Sequence, residues 1–344
     1  MSVRVAIVGC GLIGSAWDED VSCHSAPRTH AAAFAYHQDA KLVAVCDQDA
    51  SRAAAAGARW DVRAFSELDQ MLASTEIDLL VVATPATVRQ TVVASALASG
   101  IRAFVIEKPL APALPEARAL VDLLDQAGAR ALVNHTRHWD PSMAALRERI
   151  RQGDLGQLQR AVAYYGKGTN HTGSHMVDLV GMLCDAQPVA ARAAAAPLPA
   201  GEAAWCNGTD PTLDGQIRWQ RRDGSSLQLD LLATDCRAFT EFRLRLIGSS
   251  ACVELSLGGR RIDWTPLTDD PDFAGYRIPG TAQALTADAR LAMQHMADDA
   301  VRMARDPGHR PDCGAHDAMR TACAVQALRD SHRDGGPWCP LQTS

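Results

Sequence analysis

Lysine is nearly absent. Of 34 basic residues only three are lysine, Lys41, Lys108 and Lys167, and the rest are arginine. A chain that uses arginine wherever positive charge suffices marks its remaining lysines for what arginine cannot do. Lysine is a compact donor whose pKa falls on burial, whereas a guanidinium stays charged and planar. Chance retention is the alternative for any one of them. A basic excess is missing too: the net charge is −6, which excludes the field that draws nucleic acid or anionic lipid. No apolar run approaches the length of a membrane-spanning helix. The apolar start "VRVAIVGCGLIG" lacks a cleavage-type ending and runs into acidic "DED", against a secretion signal. There are ten cysteines but no CxxC pair. Several sit in strand-like runs, where a thiol acts as a small hydrophobe, so a reduced, cytoplasmic protein is expected.

What is present is ordinary globular chain, 47% hydrophobic and 22% charged, and 344 residues long, which suggests two domains. Short apolar runs at 3–9, 41–47, 77–85, 103–109 and 130–136 alternate with alanine-rich helical stretches. This alternation of strand and helix predicts a doubly wound parallel sheet wrapped by helices, a Rossmann-type α/β domain over 1–135. From 136 to 344 the pattern changes to an α+β domain with a largely antiparallel open sheet. Its hairpins are expected at Asp223–Gly224, Gly248–Ser249 and Gly258–Gly259. An alanine-rich patch near 190–204 resembles a linker. Two helical stretches close the chain, with packing back on the first domain left open.

Gly9, Gly11 and Gly14 form GxGxxG directly after the first strand, with Leu12 and Ile13 inside the loop. The first glycine permits the turn, the second lets a pyrophosphate approach the backbone, and the third allows close helix packing. Asp47 ends the second strand, where a carboxylate can accept both ribose hydroxyls. That favours NAD, since a carboxylate repels a 2′-phosphate; nearby Arg52 keeps NADP as the alternative. The acid normally follows by about 20 residues, and here the gap is longer. The excess lies in a polar segment, 16–28, read as a loop inserted before a helix that begins near Thr29. It is either an irregular connection or a flap, and Cys23 with His24 has no second pair of ligands at metal-like spacing.

"AFVIEKPLA" at 103–111, after a GxGxxG domain, resembles the Gfo/Idh/MocA family of oxidoreductases. "ATP" at 83–85, "VNHTRHWDP", "GDLGQL" and "GSHMVDL" extend the resemblance over nearly the whole chain. It implies hydride transfer between a nicotinamide and a secondary alcohol or ketone carbon of a sugar, a cyclitol or a nucleotide-linked sugar. It places Thr84, Pro85, Glu107 and Lys108 at the cofactor and makes Lys108 and His175 the catalytic pair. Pro109 would aim Lys108, through an expected cis peptide. Removing hydride from a C–OH carbon needs a base for the proton and a donor for the developing alkoxide, which suits these side chains.

In "GKGTNHTGSHMVD" (166–178) two histidines lie four apart. A metal pair, two capping residues and an acid/base pair are the three readings. No metal is expected, because no third ligand lies nearby and Gly173 would loosen a rigid site. The family's aspartate four residues before the catalytic histidine is His171 here, beside Asn170, so His171 and His175 read as a substituted pair. Without the aspartate the site is expected to be less negative and to suit an anionic substrate, with Arg137, Lys167 and Arg89 adding positive charge. Where the family shows Asn and His after "ATP", this chain has Ala86 and Arg89. Asp178 is read as structural; Trp139 is either a sugar platform or core. Homo-oligomerisation, as dimer or tetramer, follows from the exposed face of an open sheet. A non-catalytic dinucleotide-binding sensor or scaffold and an NAD-dependent glycosidase are the competing functions.

Overall fold

The computed structural model describes residues 2–18, 26–198, 210–237 and 239–341. The chain divides into two compact units, Met1–Asp140 with Arg290–Met319, and Pro141–Ala289 with Arg320–Ser344. The first unit runs past residue 135 for a physical reason. The buried Trp139 donates from Nε1 to Oδ2 of Asp299 at 2.8 Å, on the helix Ala292–Arg305. Trp139 is core, and a buried indole with a satisfied N–H needs no ligand to explain it.

In the first unit six strands form one sheet: β1 (Val3–Val8), β2 (Ala40–Cys46), β3 (Arg63–Phe65), β4 (Leu79–Val82), β5 (Ala103–Glu107) and β6 (Arg130–Asn134). Their order is β3-β2-β1-β4-β5-β6, and every pair is parallel. β4 and β5 are buried throughout, which is why they read as unbroken apolar runs. β3 is a three-residue edge strand without such a run. The strand order reverses between β1 and β4, where an open α/β sheet offers its ligand crevice.

The insertion is spliced into the helix that follows the glycine loop. Ser15 N–H donates to Gly11 O at 2.9 Å, opening a helical turn. The ladder then resumes across the insertion, with His30 N–H on Ile13 O and Ala31 N–H on Gly14 O, both at 3.0 Å. Helix α1 (His30–Ala35) is capped by Thr29, whose side chain accepts from Ala32 N–H. Asp18 pins the two ends of the loop together. Its Oδ2 accepts from Arg28 N–H (2.8 Å), Thr29 N–H (2.7 Å) and the Thr29 hydroxyl (2.8 Å), and its Oδ1 from Arg28 Nε (3.0 Å). Burial alone would raise the Asp18 carboxyl, but these bonds hold it below its ordinary value. Cys23 and His24 lie outside the described residues.

The second unit is built on ten strands: β7 (Leu158–Tyr165), β8 (Ala186–Ala195), β9 (Leu213–Arg221), β10 (Ser226–Ala233), β11 (Phe242–Gly248), β12 (Ala251–Ser256), β13 (Arg261–Asp269), β14 (Arg277–Pro279), β15 (Gln283–Leu285) and β16 (Cys339–Pro340). The order is β14-β13-β12-β11-β7-β10-β9-β8-β16, with β15 on β13. All pairings are antiparallel except β7 with β10. Gly224, at φ 85°, makes the turn between β9 and β10 that the sequence predicts. The alanine-rich patch is not a linker over its first part: it is β8, held by β9 on one side and β16 on the other. Pairing there overrides alanine's weak strand preference. Helix α7 (Ser174–Cys184) packs its apolar face, with Met176, Leu179 and Leu183, into the core of this unit beside Trp219 and Leu328.

Candidate active site

The glycine loop is shaped by backbone contacts. A Cβ on Gly9 would meet Ala83 C and O at 2.7 Å, and one on Gly14 would collide with Gly9 O, so neither position admits a side chain. A Cβ on Gly11 would meet nothing within 4 Å. The three glycines therefore divide into two that pack and one that leaves open space over a helix start, the cradle a pyrophosphate requires. Leu12 is 60% exposed beside it, and Ile13 is half-buried. Asp47 is buried at the end of β2 and tied to the loop, its Oδ2 accepting from Cys10 N–H at 2.8 Å. Its Oδ1 accepts from Asp49 N–H (2.9 Å) and from Arg52 Nη2 (3.1 Å) and Nε (3.3 Å). The residues fit a nicotinamide dinucleotide, with the half-exposed Arg52 guanidinium already on Asp47.

Thr84 and Pro85 follow β4, against the glycine loop: the Gly9 Cβ would come within 2.9 Å of Thr84 N. The Thr84 hydroxyl is buried and has no partner among the described residues. Glu107 ends the next strand, β5, Lys108 follows it, and the Lys108–Pro109 peptide is cis, as the sequence suggested. Glu107 is buried. Its Oε1 takes His30 Nε2 at 2.8 Å and Asn134 Nδ2 at 2.7 Å. Burial would raise the Glu107 carboxyl, but the His30 and Asn134 bonds hold it below the ordinary carboxylate range. Glu107 thus faces protein on this oxygen and supports the turn that carries Lys108.

Arg89 corrects the expectation of a cation offered to substrate. It is buried, and its guanidinium is spent on backbone carbonyls: Thr84 O, Lys108 O and Pro109 O. Arg137 stands half-buried on the 3₁₀ turn Thr136–Trp139 after β6, in the first unit.

In the second unit, Lys167 takes a left-handed backbone (φ 64°) just before a π-helical turn, Thr169–Gly173, that leads into α7. His171 is therefore in the π turn, and His175 is in the first turn of α7. His171 is exposed, with Nδ1 3.1 Å from the Thr172 hydroxyl. His175 is half-buried and edge-on to Phe242, ring centroids 6.4 Å apart. The turn is stitched to a distant segment. Asp210 Oδ1 accepts Asn170 N–H and its Oδ2 accepts His171 N–H, each at 2.8 Å, while Thr169 N–H donates to Pro211 O at 3.0 Å. Gly173 does not loosen the turn: a Cβ there would lie 3.0 Å from the Tyr165 ring, so glycine is what lets it pack. Asp178 is buried within α7.

Sequence reading missed His30, Asn134 and Asp210. The first had a usable signal, a lone histidine in the apolar run "THAAAFA". Asp210 had none, because 40 residues separate it from Asn170.

Residues 3–135 match the model of the Gfo/Idh/MocA oxidoreductases, an oxidoreductase family with an NAD-binding Rossmann fold. D-apiose dehydrogenase of Paraburkholderia graminis is 30% identical over 152 residues, 44% of this chain and 37% of that protein. Inositol 2-dehydrogenase of Leifsonia xyli is 37% identical over 122 residues, 35% of each chain. The chain thus matches little more than a third of these relatives' length. The WlbA dehydrogenase from Bordetella pertussis in complex with NADH and UDP-GlcNAcA superimposes with a TM-score of 0.75 at 22% identity, covering 100% of both chains. An inositol dehydrogenase homolog from Azotobacter vinelandii, complexed with NADH and myo-inositol, gives 0.78 at 16%, covering 99% of this chain and 98% of that one. At these identities the likeness is one of fold. Among the described residues no helix is long and apolar enough to cross a membrane. The glycine cradle, the acid after β2 and the Glu107–Lys108–Pro109 turn on one parallel sheet agree with that match: residues 3–135 are similar to the Gfo/Idh/MocA oxidoreductases and share their NAD-binding Rossmann fold.

Proposed function

We propose that the protein is an NAD-dependent oxidoreductase acting on a secondary alcohol or ketone carbon of a sugar, cyclitol or nucleotide-linked sugar. The observation that carries this reading is the junction of three loops at the ends of β1, β4 and β5. The open backbone at Gly11, the Thr84–Pro85 turn and Lys108 all stand on adjacent parallel strands, at the switch point of the sheet. The relatives named for D-apiose and inositol, and the neighbours holding myo-inositol or UDP-GlcNAcA, support a polyhydroxy substrate.

Gly9, Gly11, Leu12, Ile13 and Gly14 would hold the pyrophosphate, Asp47 the adenosine ribose, and Thr84, Pro85 and the Glu107–Lys108 turn the nicotinamide side. Bound NAD supplies the hydride acceptor. Lys108 donates a hydrogen bond to the substrate oxygen and stabilises it as negative charge develops. His175 takes the hydroxyl proton during oxidation and returns it during reduction. His171 and Asn170, on the turn before α7, contact the sugar, and Arg137 and Lys167 favour an anionic one. Exposed Tyr164 and Val189 on the second sheet support a homo-oligomer.

Fluorescence titration with NADH and NADPH comes first, followed by NAD reduction assays on neutral and carboxylated sugars and cyclitols. The expected result is NADH binding by the wild type and by Lys108→Ala and His175→Ala, with turnover lost in both variants. Binding of neither nucleotide would overturn the reading.

A further inference from the structure

Arg89 is a buried cation with no carboxylate at ion-pair distance among the described residues. It is the first residue of α4 (Arg89–Ala98), where a helix disfavours positive charge. Burial depresses its pKa to about 10, with the Glu107 charge opposing. A group placed at such electrostatic cost does something that an apolar residue could not.

What it does is read from its partners. Nε and Nη2 donate to Thr84 O at 3.2 and 2.9 Å, Nη2 also reaches Lys108 O at 3.4 Å, and Nη1 donates to Pro109 O. The first carbonyl belongs to the turn after β4, and the other two to the turn after β5. One planar fork therefore joins the turn beside the glycine loop to the turn that carries Lys108. A lysine could not span them, since its donors radiate from a single nitrogen.

We infer that Arg89 is a positioning residue: its guanidinium fixes the Lys108–Pro109 turn against the Thr84–Pro85 turn and so sets where the Lys108 ammonium stands. This rests on the dehydrogenase reading for what Lys108 does, but the placement itself can be tested without turnover.

Because the chain has only three lysines, reductive ¹³C-methylation yields three lysine signals, with Lys108 assigned by Lys108→Arg. In the protein without nucleotide, the Lys108 signal is expected to stand apart from that of exposed Lys41. In Arg89→Met and Arg89→Lys it should move towards the Lys41 position while the Lys41 signal stays; Arg89→Lys adds a fourth signal, told apart from that of Lys108 by combining it with Lys108→Arg. Catalytically, both variants should lose roughly a hundredfold in kcat, the scale of a misplacement of about 1 Å, with NADH affinity within about threefold of wild type. If Arg89→Met does not fold, Arg89→Lys carries the test. A Lys108 signal unchanged in the folded variant, or full kcat in Arg89→Lys, would overturn the inference. A wild-type Lys108 signal that ignores NADH would instead count against the dehydrogenase reading, leaving the Arg89 comparison intact.

Discussion

Nε2 of His30 lies 2.8 Å from Oε1 of Glu107, and both side chains are buried. The pair links the helix after the glycine loop to the strand end that carries Lys108. Glu107 has a folded pKa below its ordinary 4.5, so its bonds stabilise the fold above that pH, and the contribution fades as pH falls through the folded value. His30→Ala leaves the carboxylate with Asn134 alone and should cost about 3 kcal/mol at pH 7, the usual loss when one partner of a buried pair is removed. Urea unfolding at pH 7 and at about pH 3.5 should show the deficit shrinking in acid, where protonation relieves the stranded charge. An equal deficit at both values would mean that the contact is not ionic.

The glycines offer a sharper separation of folding from binding. Gly14→Ala drives a Cβ into Gly9 O and should prevent stable folding or shift the melting temperature strongly downward. Gly11→Ala meets nothing in the protein, so its stability should stay within about 1 kcal/mol of wild type. Its NADH affinity should nonetheless fall by tenfold or more, by about 1.4 kcal/mol, because the methyl group occupies the anion's approach. Calorimetry beside fluorescence titration reads both; unchanged affinity in Gly11→Ala would remove the pyrophosphate from this loop.

Asp47 and Arg52 should set the nucleotide preference in opposite directions. Wild type is expected to prefer NADH. Asp47→Ala should weaken NADH binding by about tenfold, the worth of a charged hydrogen bond, and release Arg52 to meet a 2′-phosphate. Arg52→Ala should widen the preference for NADH. Parallel titrations with NADPH decide it, and a ratio that neither variant moves would place the ribose elsewhere.

Asp210 holds the N–H groups of Asn170 and His171. Asp210→Ala should free the π turn and lower kcat about tenfold, while NADH affinity remains that of the wild type. Steady-state kinetics on the preferred substrate checks this. A change confined to melting temperature would show that the carboxylate serves folding alone.

The parallel sheet was legible because β1, β2, β4 and β5 are fed by local signals: β-branched runs, glycine at the turn, and alanine-rich helices between. GxGxxG and Glu-Lys-Pro were legible for the same reason, since each acts over a few neighbouring residues. Short β3 and alanine-rich β8 were not, because strand pairing supplied what their own side chains lack.

The site's supports are non-local. Whether a charged side chain faces substrate or protein depends on what the fold brings within 3 Å, and sequence spacing carries no such information. Arg89, by its place in the sequence a cation for the substrate, instead carries three carbonyls from two turns. His30 and Asp210 meet their partners across 77 and 40 residues. The sequence by itself determined most of the parallel sheet and the open glycine loop after β1, because those follow from short-range pattern. Tertiary structure alone decided which charges are buried as supports, because burial is a property of the packed chain.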